Sequence, residues 1–175
     1  MGKRSDFERI PRDFYPTPYE AVVPLISHLP EWYTFTEPCA GDGRLIDHLE
    51  KHGGKCSYAC DVEPTDMYLR VEKKNAFDVD AVTTPYIITN PPWDRKILHP
   101  MIEHFSDMAP TWLLFDSDWM HTKQSIQYLT RLKKVVSIGR IKWIEGSSSV
   151  GKDNCCWYLF DNTDMVKPIE FWGRT

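Results

Sequence analysis

Short apolar runs typical of buried strands alternate along this chain with segments whose apolar residues recur at helical spacing. The clearest strand-like runs lie at 33–37, 56–60, 86–89 and 111–115. Neighbouring strands that run parallel need a long crossover connection, and a helix usually supplies it. The alternation therefore predicts an α/β fold with a mostly parallel sheet and helices on both of its faces.

The last part of the chain has a different pattern. Two β-rich runs, 135–143 and 155–160, are separated by a polar loop rich in Gly and Ser, with no helical pattern between them. Such a pair most simply forms a hairpin, so we expect one antiparallel strand in the sheet. The 175 residues, of which 42% are hydrophobic, suffice for one well-filled core, and 1–175 are expected to form a single domain.

Two helices are predicted from their start signals. Thr17 offers a capping hydroxyl, Pro18 suits the first helical position, and Glu20 is placed to bond back to the cap. This pattern predicts a helix that runs to about residue 29. Thr122 can cap a second helix, whose apolar positions are Ile126, Leu129 and Leu132.

Composition limits the classes of partner. A net charge of -4 and a pI near 5.8 argue against binding nucleic acid mainly by global electrostatics, so any such contact must come from a local patch. No run approaches the ~20 apolar residues of a membrane span, and the first residues are charged, so a cytoplasmic protein with no membrane partner is expected. The five cysteines fit neither a zinc pattern nor a disulfide framework, which predicts reduced thiols and no metal.

The stretch 37–43, Glu-Pro-Cys-Ala-Gly-Asp-Gly, lies between the first strand and the next helix, where open α/β sheets bind ligands. A dinucleotide would bring a pyrophosphate here, yet Glu37 and Asp42 are acidic, and Ile46 stands at the third glycine position of that pattern. A cationic ligand such as S-adenosylmethionine, which carries a sulfonium and an ammonium, suits these charges better. An ordinary glycine-rich turn before an acidic helix start has the same residues.

Asp61 stands at the end of the second strand, where α/β folds place an acid on ribose hydroxyls. Glu63 is the competing candidate for that role. A carboxylate at a strand end is otherwise most often a solvated turn residue, so its position after the glycine turn carries the prediction. Weaker candidates for further cofactor contacts are Val62, Asn75, Ala76, Phe77 and Asp78.

The tetrapeptide Asn90-Pro91-Pro92-Trp93 follows the fourth strand directly. Two prolines stiffen the backbone and remove two amide donors, so the Asn90 amide oxygen and the Pro91 carbonyl can be held as acceptors. Two acceptors that grip the hydrogens of a base's amino group favour a more nucleophilic nitrogen, and Trp93 offers a face for stacking the base. A proline-stiffened surface turn with a packed tryptophan is the plainer alternative.

This tetrapeptide resembles the hallmark of S-adenosylmethionine-dependent amino-methyltransferases, which is Asn, Asp or Ser, then Pro-Pro, then an aromatic residue. Thr17-Pro18 resembles the Thr-Pro element that precedes the glycine turn in one permutation class of N6-adenine DNA methyltransferases, a class also seen in phage enzymes. Asp61 and the tetrapeptide follow in that class's order. The resemblance implies a Rossmann-like methyltransferase fold with a seven-stranded sheet whose last strand is reversed, and methyl transfer to adenine in DNA.

The resemblance also implies roles for residues. Tyr15, Thr17 and Pro18 would hold the methionine part of the cofactor, the glycine turn its centre and Asp61 its ribose, while Asn90, Pro91 and Trp93 would hold the target base. The predicted catalytic residues are Asn90, Pro91, Pro92 and Trp93. The principal predicted cofactor-binding residues are Tyr15, Thr17, Pro18, Glu37, Pro38, Ala40, Gly41, Asp42, Gly43, Asp61 and Asn90.

Substrate contacts are expected from loops, because nothing in the chain is left to build a separate target recognition domain. Asp116 and Trp119 follow a strand at the expected ligand edge and are predicted to line the substrate pocket, with Trp119 as a second stacking surface. A strand-end turn with a packed indole explains the same pattern equally well. Lys142 and Lys152 are candidates for contacts with DNA, whose target adenine would be flipped out or single-stranded.

Other functions stay open from the sequence. The same motif serves enzymes that methylate RNA bases or glutamine amides of proteins, although Thr17-Pro18 favours adenine in DNA. A non-catalytic protein that binds S-adenosylmethionine or DNA is a different class, against which the intact tetrapeptide argues. Asp42 and Ile46 oppose a dinucleotide-dependent oxidoreductase. The oligomeric state has no signal in the sequence.

Overall fold

Eight strands form one sheet in a computed structural model that describes residues 14–65, 70–144, 146, 150–164 and 169–174. The strands are β1 (Tyr33–Glu37), β2 (Gly54–Asp61), β3 (Glu72–Lys73), β4 (Tyr86–Thr89), β5 (Thr111–Asp116), β6 (Leu132–Arg140), β7 (Asn154–Phe160) and β8 (Glu170–Trp172). Their order across the sheet is β3-β2-β1-β4-β5-β7-β6-β8. β2 and β3 thus extend the sheet on the outer side of β1, and β5 to β8 extend it on the outer side of β4.

Helices cover both faces of this sheet. The α-helices are α1 (Tyr19–Ile26), α2 (Arg44–Glu50) and α3 (Arg95–Ser106), and 3₁₀ helices span Ala76–Asp78, Ser117–His121 and Lys123–Arg131. One core cluster joins the buried faces of α1 and α2 to the sheet, and two others hold the buried face of α3. Within the described ranges, no helix has the length and hydrophobicity to cross a bilayer.

Strand directions confirm the predicted fold class. β7 is antiparallel to both β5 and β6, while all other neighbouring strands pair in parallel. This is a Rossmann-like α/β fold with one reversed strand, as expected. The expected strand count was one too low, because β8 has three residues, all exposed, and therefore no alternating pattern to reveal it.

The start of α1 differs from its prediction. The N-cap residue is Pro18, which makes no side-chain cap bond, and the helix ends at Ile26. The Thr17 hydroxyl instead accepts a hydrogen bond from Asn90, and Glu20 Oε1 accepts one from the backbone N–H of Lys142. The two residues expected to cap the helix are therefore used for tertiary contacts.

The helix predicted after Thr122 is also wrong in type. The segment Lys123–Arg131 is a 3₁₀ helix whose buried residues are Ser125 and Tyr128. Ile126, expected in the core, is 66% exposed, and Leu132 begins β6. The apolar spacing suited an α-helix, but the tighter 3₁₀ geometry turns a different set of side chains inward.

Long-range contacts fix the site-bearing edge of the sheet. The indole N–H of Trp157 on β7 donates to the Ala21 carbonyl of α1 at 2.7 Å. β1, β4 and β5 run parallel, so Glu37, Thr89 and Asp116 end them at the same edge. Ligands of open α/β sheets bind outside this carboxyl edge.

Candidate functional site

A cleft with a cavity volume of about 60 Å³ opens at the carboxyl edge of the sheet. Nine predicted site residues line it: Tyr15, Thr17, Glu37, Ala40, Gly41, Asp42, Asp61, Asn90 and Pro92. Phe14, Pro16, Cys39 and Leu45 line it as well and were not among the predicted site residues.

The glycine turn has a fixed backbone. Gly41 and Gly43 adopt φ angles of 53° and 81°, in the left-handed region that favours glycine. A Cβ on Gly41 would come within 2.7 Å of Cε2 of Phe14, so the segment before α1 packs directly on the turn. The Ala40 N–H donates to the Cys60 carbonyl at 3.0 Å, which ties the turn to β2.

Asp61 holds this turn with its side chain. Its Oδ2 accepts the Gly41 N–H at 2.9 Å, and its Oδ1 accepts the Glu63 N–H at 2.8 Å. Each carboxylate oxygen has two lone pairs, so both oxygens can accept one further hydrogen bond. The half-buried carboxylate is thus oriented before any ligand arrives.

Glu37 is the fully buried acid of the cleft. Its Oε1 accepts the Cys39 N–H at 2.9 Å, and the Thr89 side chain lies beside the carboxyl group. Burial raises the pKa of Glu37 to about 8, against the opposing effects of Thr89 and of the Cys39 N–H, and the nearby Asp61 carboxylate adds a smaller upward shift. A cationic group placed in the cleft would favour the ionised form of this side chain.

Asn90 is held by the segment that precedes α1. Its Nδ2 donates to the Tyr15 carbonyl and to the Thr17 hydroxyl, both at 3.2 Å. A carbonyl oxygen only accepts, so the atom of Asn90 that faces Tyr15 must be the nitrogen. The Oδ1 atom is therefore the one left to accept a hydrogen bond from elsewhere.

The rest of the tetrapeptide meets an aromatic cluster formed by Tyr15, Trp93 and Trp143. The Trp93 indole N–H donates to the Leu114 carbonyl at 3.1 Å, and its ring lies edge to face with Trp143 at 5.6 Å between centroids and 84°. The Trp143 ring also packs against the Tyr15 ring, with 6.2 Å between the ring centroids. Pro91 is buried.

Trp143 was missed as a candidate site residue. β6 runs parallel to β5 because both are antiparallel to β7, so Trp143, three residues beyond the end of β6, emerges at the carboxyl edge. Its position as the last residue of the predicted strand 135–143 was visible in the sequence. The missing information was the direction of that strand, which depends on where β7 inserts.

Two predicted substrate residues have other partners. Trp119 is fully buried. Its indole N–H donates to His99 Nε2 at 3.0 Å, and its ring packs against Phe115. The prediction that Trp119 is a second stacking surface is therefore wrong. Asp116 pairs with Arg95 at 2.5 Å. The strand-end turn with a packed indole is therefore what this segment forms.

The remaining predicted residues lie outside the cleft lining. Asn75 Oδ1 accepts the Phe77 N–H at 3.0 Å. The Phe77 ring packs against the His104 ring of α3, with 5.6 Å between the ring centroids. The others in this group are Pro18, Pro38, Gly43, Val62, Ala76, Pro91, Trp93, Lys142 and Lys152. Lys142 and Lys152 are exposed and flank the loop between β6 and β7, beside Trp143.

Comparison with known proteins gives structural likeness only. No family model matches the chain, and no curated protein matches it by sequence. A dimethyladenosine transferase from Plasmodium falciparum aligns with a TM-score of 0.56 and 14% identity, over 84% of this chain and 62% of that one. The 23S rRNA methyltransferase ErmE aligns with a TM-score of 0.54 and 9% identity, over 85% and 69%.

A third solved structure is the methyltransferase subunit of a type I restriction-modification system from Streptococcus thermophilus. It aligns with a TM-score of 0.54 and 6% identity, over 89% of this chain and 45% of that subunit. The chain thus spans less than two thirds of the dimethyladenosine transferase and less than half of this subunit. At these identities the likeness establishes the methyltransferase fold.

Proposed function

We propose that this protein transfers a methyl group from S-adenosylmethionine to the N6 amino group of adenine in DNA. The observation that carries the proposal is the fixed orientation of Asn90, whose Nδ2 is engaged by Tyr15 and Thr17 beside an acidic cleft. A side-chain amide held in this way offers its oxygen to an amino group. An ordinary surface turn would not need that arrangement.

The cleft suits the cofactor by charge. Glu37, Asp42 and Asp61 bring three carboxyl groups to one cleft. Asp61 attracts the sulfonium and the ammonium of S-adenosylmethionine, and Glu37 would ionise beside such a cation. Asp42 is paired with Arg44 at 2.9 Å. The φ angle of Gly41 and its lack of a Cβ let Phe14 pack on the turn, which fixes the backbone beside the cleft. When bound, S-adenosylmethionine would supply an electrophilic methyl group.

Replacing Asp61 with alanine should weaken cofactor binding by about 1.5 to 3 kcal/mol, the value of a hydrogen bond to a charged group. The carboxylate supports the Gly41 turn and has lone pairs left for the ribose hydroxyls. Titration calorimetry measures the loss. Asp80→Ala, which removes an exposed carboxylate between the Ala76–Asp78 helix and β4, is the control and should leave the affinity unchanged. Equal affinity of Asp61→Ala and wild type would assign the ribose to Glu63 or to the backbone.

The tetrapeptide provides the chemistry at the target nitrogen. The lone pair of an exocyclic amine is delocalised into the ring, which makes the nitrogen a poor nucleophile. Asn90 Oδ1 and the Pro91 carbonyl would accept its two N–H groups, which favours a pyramidal nitrogen with a localised lone pair. Alignment of that nitrogen with the methyl carbon and sulfur is a proximity effect, and the surplus proton leaves to solvent.

The aromatic cluster supports a planar substrate. Trp93 and Trp143 lie at right angles beside the tetrapeptide, and stacking of a base on an aromatic ring is worth about 1 to 3 kcal/mol. A paired adenine would have to leave the duplex to reach the cleft. Lys142 and Lys152, exposed beside Trp143, are placed to contact the phosphates of a strand that delivers such a base.

Adenine in RNA is the second candidate substrate. Two of the structural neighbours are named as a dimethyladenosine transferase and a 23S rRNA methyltransferase, and a third as a subunit of a restriction-modification system. The Thr17-Pro18 element ahead of the glycine turn favours DNA. The amino group presented to Asn90 would be the same in either nucleic acid.

Transfer of a radiolabelled methyl group tests the function. Unmethylated duplex DNA, single-stranded DNA, RNA and a protein extract are each incubated with labelled S-adenosylmethionine, and the labelled product is digested and identified. N6-methyladenine in DNA is the expected product, and the DNA sample that carries it defines the strand form used. Label in RNA or protein would replace the substrate, and no label despite cofactor binding would overturn the enzymatic assignment.

A further inference from the structure

The segment 14–17 contacts both halves of the candidate site. At one end, Phe14 packs on Gly41 of the glycine turn. At the other, the Tyr15 carbonyl and the Thr17 hydroxyl accept both N–H groups of the Asn90 side chain. Thr17 is 5% exposed, so water competes little for this hydroxyl.

We propose that Thr17 is a positioning residue for methyl transfer, acting through Asn90 rather than holding the cofactor's methionine part. The inference rests on the proposed function for its catalytic consequence. The Thr17 hydroxyl and the Tyr15 carbonyl together occupy the two hydrogens of Nδ2. Turning the amide over would lose the bond to Tyr15 and set Oδ1 against that carbonyl, while the second bond, to Thr17, fixes the plane in which the amide lies. Oδ1 then stays directed away from this segment as an acceptor.

An unsupported asparagine would lose this selectivity. Rotation of the amide by half a turn exchanges its oxygen and nitrogen, which have nearly the same shape. In the turned form Nδ2 would meet the N–H groups of the target amine, and two donors repel each other. The Tyr15 carbonyl selects the correct form because it can only accept, and the Thr17 hydroxyl holds that form at a fixed angle. With Tyr15 as its sole partner, the amide is free to rock about a single hydrogen bond.

The side chain of Thr17 allows a nearly isosteric test. Thr17→Val keeps the volume and removes the hydroxyl, whereas Thr17→Ser keeps the hydroxyl. A neutral hydrogen bond contributes little net energy, so kcat of Thr17→Val should fall about 2- to 10-fold. The serine variant should restore kcat to within about twofold of wild type.

Two comparisons separate positioning from damage to the fold. The matched control is Thr111→Val, because Thr111 is also fully buried, donates one hydrogen bond to the Ala109 carbonyl and lies at the opposite edge of the sheet. This control should lower stability without changing kcat. Cofactor affinity of Thr17→Val, measured by calorimetry, should stay within about twofold of wild type. If the loss of cofactor affinity in Thr17→Val accounted for its whole loss of rate, Thr17 would be a cofactor-binding residue and the inference would be overturned.

A double mutant tests whether Thr17 acts through Asn90. The serine in Asn90→Ser is too short to reach Thr17, so adding Thr17→Val to it should change the residual rate by less than about twofold. The same loss in both backgrounds would overturn the inference.

A second readout does not depend on turnover. The two side-chain amide protons of Asn90 give NMR signals that can be assigned in the cofactor-free protein, because these signals are absent from the spectrum of Asn90→Ala. Thr17→Val should shift one of the two amide protons and speed its exchange with water, while Thr17→Ser should leave both in place. Unchanged signals in the valine variant would overturn the positioning role, whereas shifted signals without methyl transfer to any substrate would leave it intact and refute only the proposed function.

Discussion

Asn90→Ala should lower the rate of methyl transfer by about 100-fold or more, comparable to the loss of a single preorganised hydrogen-bonding group in other enzymes. The variant lacks the acceptor that Tyr15 and Thr17 hold in place. Affinity for S-adenosylmethionine should stay within about twofold of wild type, because the carboxyl groups of the cleft are unchanged. Single-turnover kinetics and calorimetry measure the two quantities separately.

Asn162→Ala is the matched control for this variant. Asn162 also uses its side-chain amide in a hydrogen bond, to Asp107 at 2.7 Å, but it lies at the opposite edge of the sheet. Its replacement should change stability slightly and leave methyl transfer at the wild-type rate. A wild-type rate in Asn90→Ala would show that the tetrapeptide has no catalytic role.

Glu37→Gln should stabilise the protein at alkaline pH, by roughly 2 to 4 kcal/mol. Burial raises the pKa of Glu37 to about 8 from an ordinary value of 4.5. Below that ordinary pKa the side chain is protonated in both folded and unfolded states, and wild type and variant should be equally stable. Between these two pKa values the unfolded chain loses its proton first, so the stability of the wild type falls with rising pH. The neutral glutamine avoids that loss, and urea unfolding across this range measures it.

Glu50→Gln provides a control of opposite sign. Arg70 bonds both oxygens of Glu50, at 2.8 and 2.9 Å, and holds the pKa of that carboxyl below its usual value. The stabilisation from Glu50 is therefore present above its ordinary pKa and is lost as the pH falls through the lowered value. Glu50→Gln should destabilise the protein at neutral pH and have less effect in acid. A parallel pH dependence of the two variants would show that neither carboxyl has the environment described.

The strands and the glycine turn were predictable because their signals are local. A buried strand of a parallel sheet is a short apolar run, and β1, β4 and β5 each gave such a run within one residue of the observed bounds. Glu37 and Asp61 end strands, and Gly41 and Asn90 lie just after strand ends, so parallel topology alone brings all four to one edge. Their meeting in one cleft depends on nothing further in the sequence.

The predictions that were wrong concern residues whose partners are distant in sequence. Thr17 carries a good capping signal, but its hydroxyl pairs with Asn90, 73 positions away. Trp119 has the polar neighbours of an exposed turn, yet it packs against Phe115 and His99. Neither pairing leaves a periodic pattern, because each depends on how two elements pack together.

The insertion of β7 between β5 and β6 has a consequence for the order of folding. Until residues 154–160 are in place, β5 presents an edge of unpaired backbone groups, and β6 cannot pair with it directly. The hydrogen bond from Trp157 to Ala21 closes a loop of 136 positions, and contacts of such separation slow folding. We therefore expect the docking of the β6–β7 hairpin to be a late folding step, and a nascent chain that ends before Asn154 to keep the β5 edge open to pairing with other chains.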